Sequence, residues 1–236
     1  MKITVVRNDL QVPPGHIERV IRDRGHDFEL VCLDEGDQLP DLDQVEAVVV
    51  LGGEMGVYDV AAFPYLLEEK AFLTAAVEAG IPVLGVCLGC QLLAESLGGS
   101  AYLADGPELT LAPLPVEVDD EVIGLLAGGP TLTIHRDTWD LPPGGTLIAR
   151  SERYNQAFRF GSALGIQSHP EVDEAIVESW MTTAAGEKVA RAEGLDASAV
   201  LTSFRSVADE VSDLADEFFG AWLIEAEQRQ VSNAAP

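Results

Sequence analysis

Two short, wholly apolar runs constrain this chain more than any other feature. Ala47-Val48-Val49-Val50-Leu51 and Pro82-Val83-Leu84-Gly85-Val86 are too short for helices, rich in valine, and each ends at a glycine-bearing turn. Such runs, with no polar alternation, read as strands covered on both faces, as in a parallel sheet flanked by helices. Further strands are expected at Ile3 to Val6 and Phe28 to Leu33, with a turn at Pro13-Pro14-Gly15. Helical spacing follows at His16 to Arg24, with apolar residues at 17, 20 and 21, ending at Gly25. A longer helix opens at Pro64, carries Leu66, Leu67, Phe72, Leu73, Ala76 and Val77, and closes at Gly80. This rhythm predicts a mostly parallel α/β sheet with right-handed crossovers.

After Gly98-Gly99 the rhythm changes. Strand candidates follow at Leu114 to Val118, Thr131 to His135, Leu147 to Arg150, Gln156 to Phe160 and Ala163 to Gln167, separated by turns such as Pro142-Pro143-Gly144-Gly145. That half should be mixed or antiparallel. The tail differs again: Asp196 suits an N-cap, and Val200, Phe204, Val207, Val211, Leu214, Phe218 and Trp222 recur at steps of three or four. One long amphipathic helix is expected there, packed on the domain, with a homodimer seam as the rival reading. Residues 231–236 are expected to fray.

Composition removes several classes. Forty acidic against 14 basic residues give a net charge of −26, a surface that repels nucleic-acid backbones. No apolar run approaches the roughly 20 residues of a membrane span. The start, Met1 to Val6, reads as a strand rather than a signal peptide, so a cytoplasmic protein is expected. Three cysteines leave one unpaired in any scheme, which argues for a working thiol over a disulfide framework. The four histidines, at 16, 26, 135 and 169, do not cluster with them, so no metal site is expected.

Cys87 is that thiol's candidate. A buried strand runs into Gly85-Val86-Cys87-Leu88-Gly89, and Leu92, Leu93, Ala94 and Leu97 continue as a helix. Paired glycines leave room for the sharp strand-to-helix turn that presents a nucleophile, and the helix N-terminus favours a thiolate. A buried structural cysteine and a Cys87-x-x-Cys90 redox pair are the competing readings; the second lacks the usual aromatic-Cys-Gly-Pro character. A thiolate needs a base. His169 stands in Gly165-Ile166-Gln167-Ser168-His169-Pro170-Glu171, where Pro170 stops the strand and Glu171 can orient the imidazole.

The elbow, the Gln167-Ser168-His169-Pro170-Glu171-Val172 segment and Leu51-Gly52-Gly53 before them resemble the class I (triad) glutamine amidotransferase domain. The nearest resemblance is to stand-alone members similar to the amidotransferase part of GMP synthase. Supporting stretches are Gly52 to Asp59, His135-Arg136-Asp137-Thr138-Trp139-Asp140-Leu141-Pro142 and Asn155-Gln156-Ala157-Phe158. The resemblance implies a flavodoxin-like, Rossmann-like sheet over residues 1–182, a helical extension over 183–236, and no cofactor. It implies that Cys87 attacks the γ-carboxamide of L-glutamine, His169 moves the protons and Glu171 holds His169. It also assigns the oxyanion to the N–H groups of Gly53 and Leu88, and glutamine binding to Gln91, Asn155, Ala157 and Phe158. Departures from the family pattern are Glu54 for a proline, Cys90 for a small residue, Arg136 for a glycine, Ser168 for an aromatic, and Leu109-Thr110-Leu111.

Two activities fit such a triad. One is glutamine hydrolysis serving a separate synthetase or ligase subunit, since no Gly-x-x-x-x-Gly-Lys-Ser/Thr loop occurs here. The other is a free-standing γ-glutamyl hydrolase or peptidase acting on a small conjugate. A non-catalytic binding module that kept the fold is the third reading.

Overall fold

The computed structural model describes residues 1–233. Its strands are β1 (Lys2–Arg7), β2 (Asp27–Cys32), β3 (Ala47–Val50), β4 (Val83–Val86), β5 (Ser100–Ala112), β6 (Thr131–Asp140), β7 (Thr146–Arg150), β8 (Asn155–Phe160) and β9 (Ala163–Ile166). Its helices are α1 (His16–Asp23), α2 (Tyr65–Glu78), α3 (Leu88–Ser96), α4 (Glu174–Met181), α5 (Ala184–Ala192), α6 (Ala197–Arg205) and α7 (Ala208–Asn233). The central sheet has the order β2-β1-β3-β4-β9-β8-β7. Its first five strands run parallel, and β8 alone is reversed, pairing antiparallel with β9 on one side and β7 on the other. Every residue of β3, β4 and β9 is buried, as their unbroken apolar runs demand.

Helices cover both faces. Ile17, Val20 and Ile21 of α1 join Leu214, Phe218, Trp222 and Leu223 of α7 on one side. Leu66, Phe72 and Leu73 of α2 join Leu92 and Leu93 of α3 on the other. A third, smaller core lies apart: Ile176, Val177, Val189, Val200, Leu201 and Phe204, from α4, α5 and α6, pack with Leu109 and Leu132 of a separate β5–β6 ribbon. The strand order reverses direction between β1 and β3, so the loops after these strands border a natural crevice.

Three expectations need correction. The tail is two helices, because a turn at Ser206–Val207 separates α6 from α7. The helical period continues across it, but Val200 and Phe204 pack in the small core, whereas Leu214 and Phe218 pack on the central sheet. Two separate cores thus override one local pattern. The stripe that a dimer seam would need is spent inside the chain. Leu114 to Val118 is not a strand; only Val116 bridges, to Ala149. Strand β5 was not among the expected strands; its register slips between Leu103 and Glu108, around Asp105-Gly106-Pro107. Helix α7 runs on through Val231 to Asn233, and the rest of the stretch expected to fray, 234–236, lies outside the described residues.

Candidate active site

Cys87 sits between β4 and α3 with φ +53°, the only non-glycine residue at positive φ among the described residues. That conformation is costly for a side chain bearing a Cβ and persists only where the surroundings dictate it. They do here. The Cys87 N–H donates to Ile166 of β9 at 2.9 Å, and the Cys87 carbonyl accepts the Gln91 N–H at 3.1 Å. Neither elbow glycine can be replaced: a Cβ on Gly85 would strike the Gly89 carbonyl, and one on Gly89 would strike the carbonyl of Val50. Helix α3 therefore begins directly against the sheet.

His169 follows β9, and its N–H donates to the Leu132 carbonyl of β6 at 2.7 Å, which ties the two sheets together. Its Nδ1 lies 2.7 Å from Glu171 Oε1 in a fully buried pair. Burial alone would push the imidazole down; the Glu171 carboxylate, the charge interaction with Cys87 and hydrogen bonds to both outweigh it and hold His169 well above its ordinary range. Trp180 of α4 meets the imidazole edge-on, with centroids 5.0 Å apart, and donates from Nε1 to the Gln11 carbonyl at 2.6 Å. Gly52 completes the contact: a Cβ there would lie 3.4 Å from both Cys87 Cβ and His169 Cε1.

Gly53 is wedged between Met55 and Leu88. The N–H groups of Gly53 and Leu88 donate to no protein acceptor among the described residues. A cavity of about 660 Å³ opens over these groups. Its inner wall includes Gly53, Cys87, Gln91 and His169; Leu103 and Pro107 of β5, Ile134 to Asp137 of β6, and Thr183 to Gly186 with Lys188 form the outer wall. Gln91 reaches it with Nε2 donating to the Asp137 carbonyl and to Gln167 Oε1, both at 3.2 Å.

Asn155, Ala157 and Phe158 are elsewhere. Asn155 Nδ2 donates to the Trp139 carbonyl at 3.0 Å and lines a separate small pocket beside Arg150 and Arg153. Ala157 and Phe158 are fully buried, Phe158 against Trp139. The cavity instead meets Ile134, from the expected strand Thr131 to His135, and His135, Arg136 and Asp137, from the stretch that resembles the family, none of which was expected to bind substrate. A second buried pair holds that segment: His135 Nε2 is 3.0 Å from Glu108 Oε2, and its Nδ1 is 2.8 Å from the Asp137 carbonyl. Burial pushes Glu108 up, but hydrogen bonds from His135, Ser151 and Gln156 more than offset it and keep its carboxyl below the usual range. The redox reading of Cys90 finds no support: all three thiols are free, and Cys90 is wholly buried against Gly165, away from the cavity.

A cysteine strained into the wall of a cleft, close to a histidine paired with a buried carboxylate, has the geometry that thiol hydrolases use for nucleophile, base and orienting acid. Within that class the chain belongs to the class-I glutamine amidotransferase family, whose sequence model matches residues 15–178. It is therefore an enzyme of the glutamine-hydrolysing kind. Glutamine-hydrolysing GMP synthase of Helicobacter acinonychis is 32% identical over 160 residues, covering 66% of this chain and 30% of that protein. One subunit of the glutamine-hydrolysing GMP synthase of Sulfolobus acidocaldarius is 31% identical over 151 residues, 61% of this chain and 77% of that one. The chain thus spans less than a third of the length of the long GMP synthases it matches. A crystal structure of a glutamine amidotransferase from Thermotoga maritima superposes with TM-score 0.83 at 27% identity, over 94% of this chain and 97% of that one. No described helix is long and apolar enough to cross a membrane.

Proposed function

We propose that this chain hydrolyses the side-chain amide of L-glutamine through a γ-glutamyl thioester on Cys87. The ammonia passes to a separate synthetase or ligase that activates the acceptor. The Cys87 sulfur bonds to the γ-carbon while His169 holds the thiol proton; the C–N bond then breaks and that proton leaves with ammonia. Water, deprotonated by His169, cleaves the thioester and releases glutamate. Glu171 keeps the imidazole aimed and stabilises its cation. The N–H groups of Gly53 and Leu88 receive the oxyanion, each such donor being worth roughly 10²–10³ in rate. Gln91, with its Nε2 already engaged, offers Oε1 to the ammonium of glutamine, beside the main chain of the Ile134–Asp137 wall.

The observation that carries this reading is the positive φ of Cys87 next to the His169–Glu171 pair, since strain of that kind survives only where a site requires it. Glutamate release by the isolated chain, with and without a candidate synthetase, is the test. No release by the folded wild type under either condition would remove the proposal. Cavity size supports a second reading. A volume of about 660 Å³ is of the order that takes drug-sized ligands, more than glutamine needs, and so suits a γ-glutamyl conjugate. Higher kcat/KM for N-substituted γ-glutamyl amides than for glutamine would favour it.

A further inference from the structure

The loop after β3 is built from Gly52 and Gly53, which impose almost no backbone preference of their own. A peptide flip at Gly53 would swing the proposed oxyanion donor out of the cleft. No side chain can stiffen the loop at that point, because a Cβ on Gly53 would collide with Met55 and Leu88. Two polar contacts grip the next residue instead. The Glu54 N–H donates to Asp9 Oδ2 at 3.0 Å, and the Glu54 carbonyl accepts from Arg136 Nη2 at 2.7 Å. Asp9 is fixed by its own loop, its Oδ1 accepting the Gln11 N–H at 2.9 Å. Arg136 makes no ion pair among the described residues, although the chain holds 40 acidic side chains. Its guanidinium is spent on a main-chain carbonyl at the edge of the cavity.

We propose that Asp9 and Arg136 are positioning residues that clamp the Glu54 peptide groups and thereby fix the direction of the Gly53 N–H. The inference rests on the oxyanion role given to Gly53 above. The two groups hold the two main-chain polar groups of the same residue from different elements, one from the loop after β1 and one from β6. Glu54 is suited to this as no proline would be, because it retains the N–H that Asp9 takes. Both contacts are charge-assisted, the stronger kind of hydrogen bond. A donor that is held but misaimed loses part of the 10²–10³ that a well-placed one supplies.

Steady-state kinetics of Arg136→Gly and Asp9→Ala provide the test. Each should lower kcat for glutamine by roughly tenfold, with KM changed less than about twofold, because the donor acts on the transition state. Arg136→Lys, which can still reach a carbonyl as a donor, should recover most of the loss. In a Glu54→Pro background, which removes the N–H, Asp9→Ala should have no further effect. Hydrogen exchange over residues 52–56 should accelerate in Arg136→Gly, a readout that requires no turnover. A KM effect with kcat unchanged would make Arg136 a direct substrate contact and overturn the clamp. So would unaltered exchange in the loop, even in an enzyme that proves inactive on glutamine. Inactivity of the wild type with faster loop exchange in the variant would instead fault the proposed function and leave the clamp standing.

Discussion

The two walls of the cavity are made differently. The inner wall stands on the carboxyl ends of β3, β4 and β9, whose residues are all buried, and its key groups lie on or next to strand ends. The outer wall is the β5–β6 ribbon and α5, joined to the rest through the His169–Leu132 bridge, the packing of Trp139 on Phe158 and the Gln91 bond to the Asp137 carbonyl, with a small core of its own. Leu103 on that wall is 65% exposed. A strained cysteine can be maintained only where the backbone is over-determined; a wall that sets substrate choice can be looser. Chemistry should therefore be lost by changes on the inner wall, while the outer wall, apart from the Arg136 contact to the Glu54 carbonyl, should tune affinity.

Cys87→Ala is the largest expected effect: glutamate release should fall to background with the fold unchanged by circular dichroism. His169→Ala should follow, with a loss of roughly 10³ or more in kcat, and Glu171→Gln should cost less because the carboxylate positions rather than transfers protons. Comparable losses from Leu103→Ala would break the contrast between the walls.

The His169–Glu171 pair also has a pH signature. The folded histidine is raised above its ordinary 6.5, so the stability it contributes is fully present below that value and lost as pH rises through the raised one. In Glu171→Gln the strongest raising charge is gone, so the alkaline limb of the activity profile should shift to lower pH. An unmoved limb would mean that Glu171 does not govern the imidazole.

Smaller effects sharpen the comparison. Leu103→Ala should raise KM for glutamine or a γ-glutamyl amide a few-fold and leave kcat nearly intact. Glu69 is fully buried on α2, where desolvation lifts its carboxyl to about 7 against a hydrogen bond from Asn8. Below the unfolded value near 4.5 its contribution is complete, and it is lost as pH climbs through about 7. Glu69→Gln should accordingly raise Tm at pH 8 more than at pH 5, by the equivalent of roughly 1–3 kcal/mol in denaturant titrations. Equal Tm gains at both pH values would show that Glu69 is not titrating in the fold.

The contrast between the walls also explains what was legible in the sequence. The inner wall is written in contiguous segments, Gly52-Gly53, Gly85 to Gly89 and His169 to Glu171, where local sterics and chain continuity carry the geometry. Its sheet was legible for the same reason, since β3 and β4 are unbroken apolar runs. The outer wall depends on pairing between segments distant in sequence. Ser100 to Ala112 looks like loop around Asp105-Gly106-Pro107 and becomes β5 only against β6. The choice of Asn155, Ala157 and Phe158 failed to reach the cavity because a local match does not say which face of β8 is inward; Phe158 turns to Trp139. Ile134 to Asp137 could have been found from His135 and Glu108, two buried polar residues whose pairing is invisible until β5 and β6 are aligned.

The central claim is that Cys87, and no other thiol, forms the bond to the γ-carbon. A glutamine analogue carrying an electrophile at that carbon, followed by peptide mass spectrometry, tests it most directly. One equivalent should attach to Cys87, in step with loss of glutamate release, while Cys32 and the fully buried Cys90 stay unmodified. Stoichiometric modification of Cys32 or Cys90, with activity lost and Cys87 intact, would contradict the account.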